Sequence, residues 1–169
     1  MSSFINIQLL EKITHLLREH EQTIAVAESC TGGLVSVALT QLAGSSAWVR
    51  CNWVTYTNEA KTQQLGVPSQ LIKDDGAVSQ AVALAMAYGA LSRAGTHWAM
   101  ATTGIAGPSG GSDEKPVGTC WVAVVSTTSA RPLIQCLQGD PTAPRDELRQ
   151  WFTGQALGLL LQALQQRSV

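Results

Sequence analysis

The chain has 169 residues, 45% hydrophobic and 14% charged, with a formal net charge of −1. That length suits one domain whose core needs neither disulfides nor a structural metal, and the near-neutral charge excludes a general field for nucleic acid or an anionic membrane. Cys30, Cys51, Cys120 and Cys136 make no C-x-x-C pair and no ordered spacing with the three histidines, so no zinc site is expected and the thiols read as reduced core residues of a cytoplasmic protein.

At the N-terminus, Met1-Ser2-Ser3-Phe4 lacks a basic segment followed by an apolar one, and no apolar run reaches the roughly 18 residues of a membrane span, so a soluble chain is expected. From Ile5 to Glu19, Ile7, Leu10, Ile13, Leu16 and Leu17 recur at three- and four-residue spacing, predicting an amphipathic helix with His15, and His20 just beyond it, in solvent. Thr23 to Ala27 reads as a buried strand. Glu28-Ser29-Cys30-Thr31-Gly32-Gly33 follows as a polar turn into a helix from Leu34 to Leu42. Such a turn leaves backbone N–H groups free at a helix start. Ser29 and Thr31 add hydroxyls while Gly32 and Gly33 permit close approach, so the turn is a candidate dock for a phosphate or carboxylate. The structural alternative makes Thr31 an N-cap and the glycines a tight packing contact. The Walker A spacing is absent.

Gly44-Ser45-Ser46 precedes a strand from Trp48 to Tyr56, and Asn58 opens a helix that carries Lys61 and ends at Gly66 and Pro68. Ser79 to Ala94 is a long helix whose many alanines predict close packing on a sheet. The strand His97 to Thr103 empties into Gly104-Ile105-Ala106-Gly107-Pro108-Ser109-Gly110-Gly111-Ser112, either a crossover loop or a source of exposed N–H donors for an oxyanion. Val117 to Thr127 and Leu133 to Leu137 form a hairpin about residues 128–132, and Pro144 begins the last helix. The element order predicts a single-domain α/β sandwich over residues 1–169 with a mixed sheet, because the last strand connection is too short for a parallel crossover.

Three nucleophile schemes fit the residue types. Ser112-Asp113-Glu114-Lys115 matches S-x-x-K but lies between Gly110-Gly111 and Pro116, where no helix can bring serine and lysine onto one face. Cys30 at a helix start is a second candidate, without a His or Asp partner in sequence. The third joins Ser46, Tyr56 and Lys61 across one strand, with a desolvated lysine as base and the tyrosine relaying or steering.

Ala27 to Gly33, Gly44-Ser45-Ser46, Tyr56 to Lys61, Gly76-Ala77-Val78-Ser79, Thr103 to Pro108 and Glu114 to Thr119, in that order, resemble the CinA C-terminal domain family in its stand-alone form. The resemblance implies a three-layer α/β/α sandwich with a mixed, mostly parallel sheet. It implies an amidohydrolase that deamidates nicotinamide mononucleotide to nicotinate mononucleotide and ammonia, needing no metal or cofactor. By resemblance Ser46 is the nucleophile, Lys61 its general base and Tyr56 their hydrogen-bonding partner. Substrate would be held by Ser29, Thr31, Gly32, Gly33, Ser45, Asn58, Thr103, Gly104, Ile105, Ala106 and Gly107. An arginine before the last helix, Arg145 or Arg149, would bind the phosphate. The only implied partners are a pyridine mononucleotide and further copies of the chain, as a homo-oligomer with a dimer the expected form. The chain departs from the family pattern at Asn52 beside Trp53, at Asp75 and at Gln80. These positions leave open an altered pocket wall and a nucleotide-binding relative without turnover.

Overall fold

The computed structural model describes residues 6–129 and 131–166; Met1 to Ile5, and Ala130 in the expected hairpin turn, lie outside the described residues. Helix α1 (Ile7–Glu19) begins where the Asn6 side chain accepts the Leu9 N–H at 3.1 Å, and it buries Leu10, Ile13 and Leu17 along one stripe. The strands β1 (Ile24–Glu28), β2 (Val49–Val54), β3 (Trp98–Gly104), β4 (Thr119–Ser126) and β5 (Leu133–Gln138) make one sheet in the order β2-β1-β3-β4-β5. β1 pairs in parallel with both β2 and β3, whereas β4 pairs antiparallel with β3 and β5. β4 therefore opposes four strands that run the same way, and the sheet is mixed and mostly parallel.

Alternation along the central strands sorts side chains by size onto the two faces. Ile24, Val26, Trp98, Met100, Val122 and Val124 share one core with α1, with α2 (Leu34–Leu39) and with α6 (Arg145–Gln166). Ala25, Ala27, Ala99, Ala101 and Ala123 face the other way, against α5 (Gln80–Ala94), which contributes Ala83, Met86, Ala87 and Ala90. Small side chains on both sides of that contact let the α5 backbone lie close to the sheet. α3 (Asn58–Leu65) and α4 (Ser69–Asp75) complete this layer, giving the three-layer sandwich. No helix among the described residues is long and apolar enough to cross a membrane.

Besides shifts of up to two residues at strand ends, two helices differ from expectation. α4 was not foreseen, because its seven residues bury only Ile72 and so carry no periodic apolar signal. α2 stops at Leu39, short of the expected Leu42, where the Thr40 hydroxyl bonds back to the Ser36 carbonyl at 2.7 Å.

The close α5 contact is directly testable. Ala87→Leu should lower the unfolding free energy by roughly 1–3 kcal/mol through overpacking, read from urea denaturation; an unchanged midpoint would show that α5 can move off the sheet.

Candidate active site

β1 ends on Glu28, a fully buried carboxylate. Its Oε2 accepts the Thr31 hydroxyl at 2.6 Å and the Gly33 and Val35 N–H groups at 2.9 and 3.1 Å, and its Oε1 accepts the Ser36 N–H at 2.8 Å and hydroxyl at 2.6 Å. The N-terminus of α2 is therefore already occupied by an anion-type group of the chain itself. This corrects the reading of the turn as an external anion dock, since Thr31 and Gly33 give their donors to Glu28. Thr31 also bonds the Thr102 hydroxyl at 2.8 Å. Gly32, at φ 59°, is held against α6, where a Cβ would come within 2.5 Å of Arg149 Nη2. Arg149 donates from that nitrogen to the Thr31 carbonyl at 2.9 Å and braces the turn from behind.

At the start of that turn, Ser29 donates its N–H to the Thr102 carbonyl at 3.0 Å, which seats it at the carboxyl end of the sheet. α3 begins nearby, with the Thr57 hydroxyl capping the Ala60 N–H at 3.1 Å, and Lys61 lies on its first turn. Lys61 is 1% exposed, and its Nζ donates to Ser29 Oγ at 3.0 Å and to the Thr55 carbonyl at 2.9 Å. Burial lowers its pKa below that of an ordinary lysine, against a smaller opposing effect of the neighbouring Cys30 sulfur. The one ion pair among the described residues joins His15 to Glu19 on the surface of α1, so no carboxylate neutralises Lys61. A buried amine with no counter-charge, hydrogen-bonded to a hydroxyl, is an arrangement suited to proton abstraction.

Ser46 does not take part in it. The exposed Ser46 and the half-buried Ser45 lie in a 3-10 turn (Ser45–Ala47) that precedes β2, whereas Lys61 comes after β2. The strand between them spans roughly 17 Å at the usual rise. Because β1 and β2 are parallel, residues after each strand meet at one edge of the sheet and residues before each strand meet at the other. The serine brought to Lys61 is thus the one just after β1. Tyr56 is 55% exposed, and its hydroxyl accepts from Arg145 Nη2 instead of meeting a serine or the lysine.

A cavity of about 260 Å³ opens above these groups. Ser29, Tyr56, Asn58, Lys61, Thr103, Gly104, Ile105, Ala106, Gly107 and Arg145 line it, all of them foreseen from the sequence; Thr31, Gly32, Gly33, Ser45, Ser46 and Arg149 do not. The Thr103 hydroxyl donates to the Ala77 carbonyl at 2.7 Å and ties the loop before α5 to the rim. Arg145 Nη1 donates to the Gly107 carbonyl at 2.6 Å, so of the two candidate arginines Arg145 is the one at the mouth. Cys30, Ala77, Val78, Ser109 and Gly110 also line the cavity and were not singled out for substrate contact, although each lies inside or next to a motif that was. Asn52, Trp53, Asp75 and Gln80 are absent from the wall. Asp75 instead ends α4, where its carbonyl accepts from Lys115 Nζ at 2.7 Å.

The family model of the CinA C-terminal domain matches residues 6–164. The chain belongs to that family. Its relatives include a nicotinamide-nucleotide amidohydrolase PncC of Escherichia coli K12, 43% identical over 164 residues that make up 96% of each chain. A CinA-like protein of Citrifermentans bemidjiense is 50% identical over 139 residues, covering 82% of this chain and 33% of that longer protein. Among solved structures, the competence/damage inducible protein CihA of Agrobacterium tumefaciens superposes with a TM-score of 0.88 at 40% identity, covering 98% of this chain and 99% of the other. A CinA superfamily protein from Klebsiella pneumoniae gives a TM-score of 0.87 at 30% identity over 94% of this chain. The fold is that of the family throughout.

The Glu28 network sets the turn that carries Ser29 and Cys30. Glu28→Gln puts an amide NH₂ among donors, and should cost roughly 3 kcal/mol of stability with a parallel loss of thermal midpoint; a change within experimental error would mean that the turn is fixed by other contacts.

Proposed function

We propose that this protein is an amidohydrolase that converts nicotinamide mononucleotide to nicotinate mononucleotide and ammonia, with Ser29 as nucleophile and Lys61 as general base. The observation that carries the assignment is the buried, charge-unpaired Lys61 amine 3.0 Å from Ser29 Oγ at the floor of the cavity. The substrate class rests on likeness to a relative named nicotinamide-nucleotide amidohydrolase along nearly the whole chain.

In this scheme the neutral Lys61 amine takes the Ser29 hydroxyl proton as Oγ attacks the carboxamide carbon. The charge that develops on the carboxamide oxygen is met by backbone N–H groups of the Ala106-Gly107 segment, which make no bond within the protein among the described residues. Lys61, now an ammonium, returns its proton to the departing nitrogen, and the C–N bond breaks to release ammonia. Water then attacks the acyl-Ser29 ester with Lys61 again as base, releasing the carboxylic acid and restoring the hydroxyl. Arg145, at the mouth, offers a guanidinium for the phosphate, with Tyr56 holding it in place. The departures at Asn52, Asp75 and Gln80 lie off the cavity wall, which favours turnover over a binding-only relative.

Purified protein given nicotinamide mononucleotide should release ammonia. Ser29→Ala and Lys61→Met should each lower kcat by roughly 10³-fold or more, while Ser46→Ala keeps near-full activity. Ammonia release at wild-type rate from Ser29→Ala would remove the mechanism, and loss of activity in Ser46→Ala alone would return the nucleophile to that serine.

The pH profile supplies a separate check. Lys61 must be neutral to act, and its lowered pKa makes the neutral form available at lower pH than for a solvated lysine. kcat/KM should therefore climb with pH through that lowered value and reach a plateau below the ordinary lysine range; a rate that keeps rising through the ordinary range would mean that Lys61 is not the base.

A further inference from the structure

Cys30 stands outside the proposed reaction, yet it comes directly after Ser29 and lines the same cavity. Its sulfur lies 3.6 Å from that of Cys120 on β4, and the two residues are 4% and 0% exposed. β3 runs between β1 and β4, but Gly104 pairs opposite Cys120, and a Cβ there would come within 2.8 Å of the Cys120 Cβ. A glycine at that position leaves the two thiols facing each other with no side chain between them. The hydrogen bond shared with Cys30, together with burial, pushes the Cys120 thiol pKa up, so Cys120 keeps its proton. The other two cysteines are placed differently. Cys51 is half-buried on β2, and Cys136 is exposed on β5 opposite Trp121, on the face away from Cys120.

We infer that Cys30 and Cys120 are a redox modification site: hydrogen peroxide entering the substrate cavity joins them in a reversible disulfide that withdraws Ser29 from Lys61. The Cys30 sulfur attacks a peroxide oxygen and the O–O bond breaks, giving a sulfenic acid and water. Cys120 sulfur then attacks Cys30 sulfur, the S–O bond breaks, and the departing hydroxide takes the Cys120 proton as a second water. In total, two thiols are oxidised by two electrons and one peroxide is reduced. Closing the bond brings the sulfurs from 3.6 Å to about 2.05 Å. Cys120 is fixed in the middle of a sheet, with strands paired on both sides. Cys30 sits on a turn, so the turn moves and carries Ser29 with it.

The effect on turnover rests on the amidase reading, whereas the bridge itself does not. The full chain is treated with hydrogen peroxide, free thiols are blocked, and the digest is weighed without reduction while ammonia release is measured in parallel. A joined Cys30–Cys120 peptide lighter by two hydrogen atoms is expected, with at least about a tenfold fall in activity that dithiothreitol restores. Cys120→Val should keep its basal activity and form no bridge. Cys30 remaining unbridged at peroxide levels that oxidise the exposed Cys136 would overturn the inference, as would a bridge that leaves ammonia release unchanged. Reduced wild-type protein without any amidase activity would defeat the amidase reading instead, and the peptide mass would still decide the disulfide.

Discussion

The Glu28 carboxylate closes β1 inside the protein, and donors from Thr31, Gly33, Val35 and Ser36 fold over it. A buried carboxylate left short of partners would cost several kcal/mol, so the chain between positions 31 and 36, which supplies those donors, has little freedom to take another path. Ser29 and Cys30 lie in the part of this turn that Glu28 does not contact, yet their positions depend on it. Arg149 seals the other side through the Thr31 carbonyl, and Gly32 has no Cβ because the guanidinium occupies that space. A carboxylate, two glycines and an arginine thus serve to aim one hydroxyl.

Lys61 illustrates the opposite condition. Its amine is buried with a hydroxyl and a carbonyl for company and no carboxylate within ion-pair distance among the described residues. Such placement works against stability and shifts the amine toward its neutral form. Glu28 ends one strand and Lys61 comes soon after its parallel neighbour, the first ringed by donors and the second hydrogen-bonded but without a counter-charge within ion-pair distance among the described residues. The carboxylate gives rigidity and the amine gives reactivity.

The two-faced sheet explains how this edge stays rigid. Bulky residues on one face fill the core under α1 and α6, while alanines on the other bring α5 close, and the loop before α5 reaches the cavity rim through the Ala77 carbonyl and Thr103. α6 has two roles, packing its apolar side into the core and presenting Arg145 to the mouth and Arg149 to the turn.

Much of this was legible in residue order. Apolar periodicity gave α1, α5 and α6, strand composition and turn residues gave the five strands, and the ordered motifs gave the family and ten of the cavity-lining positions. Lys61 was legible as a cavity residue because a lysine on a first helical turn after a strand is a local feature. Its partner was not. Ser46 is 15 residues from Lys61 and Ser29 is 32, so sequence proximity favoured a serine other than the one that Lys61 meets in the fold. Only the parallel pairing of β1 with β2 brings Ser29 and Lys61, each placed after its strand, to one edge of the sheet and leaves Ser46, placed before β2, at the other. The roles of Thr31 and Gly33 were hidden for the same reason in reverse. Their donors were visible as a free helix start, and only the inward turn of the Glu28 side chain showed that the chain fills that site itself.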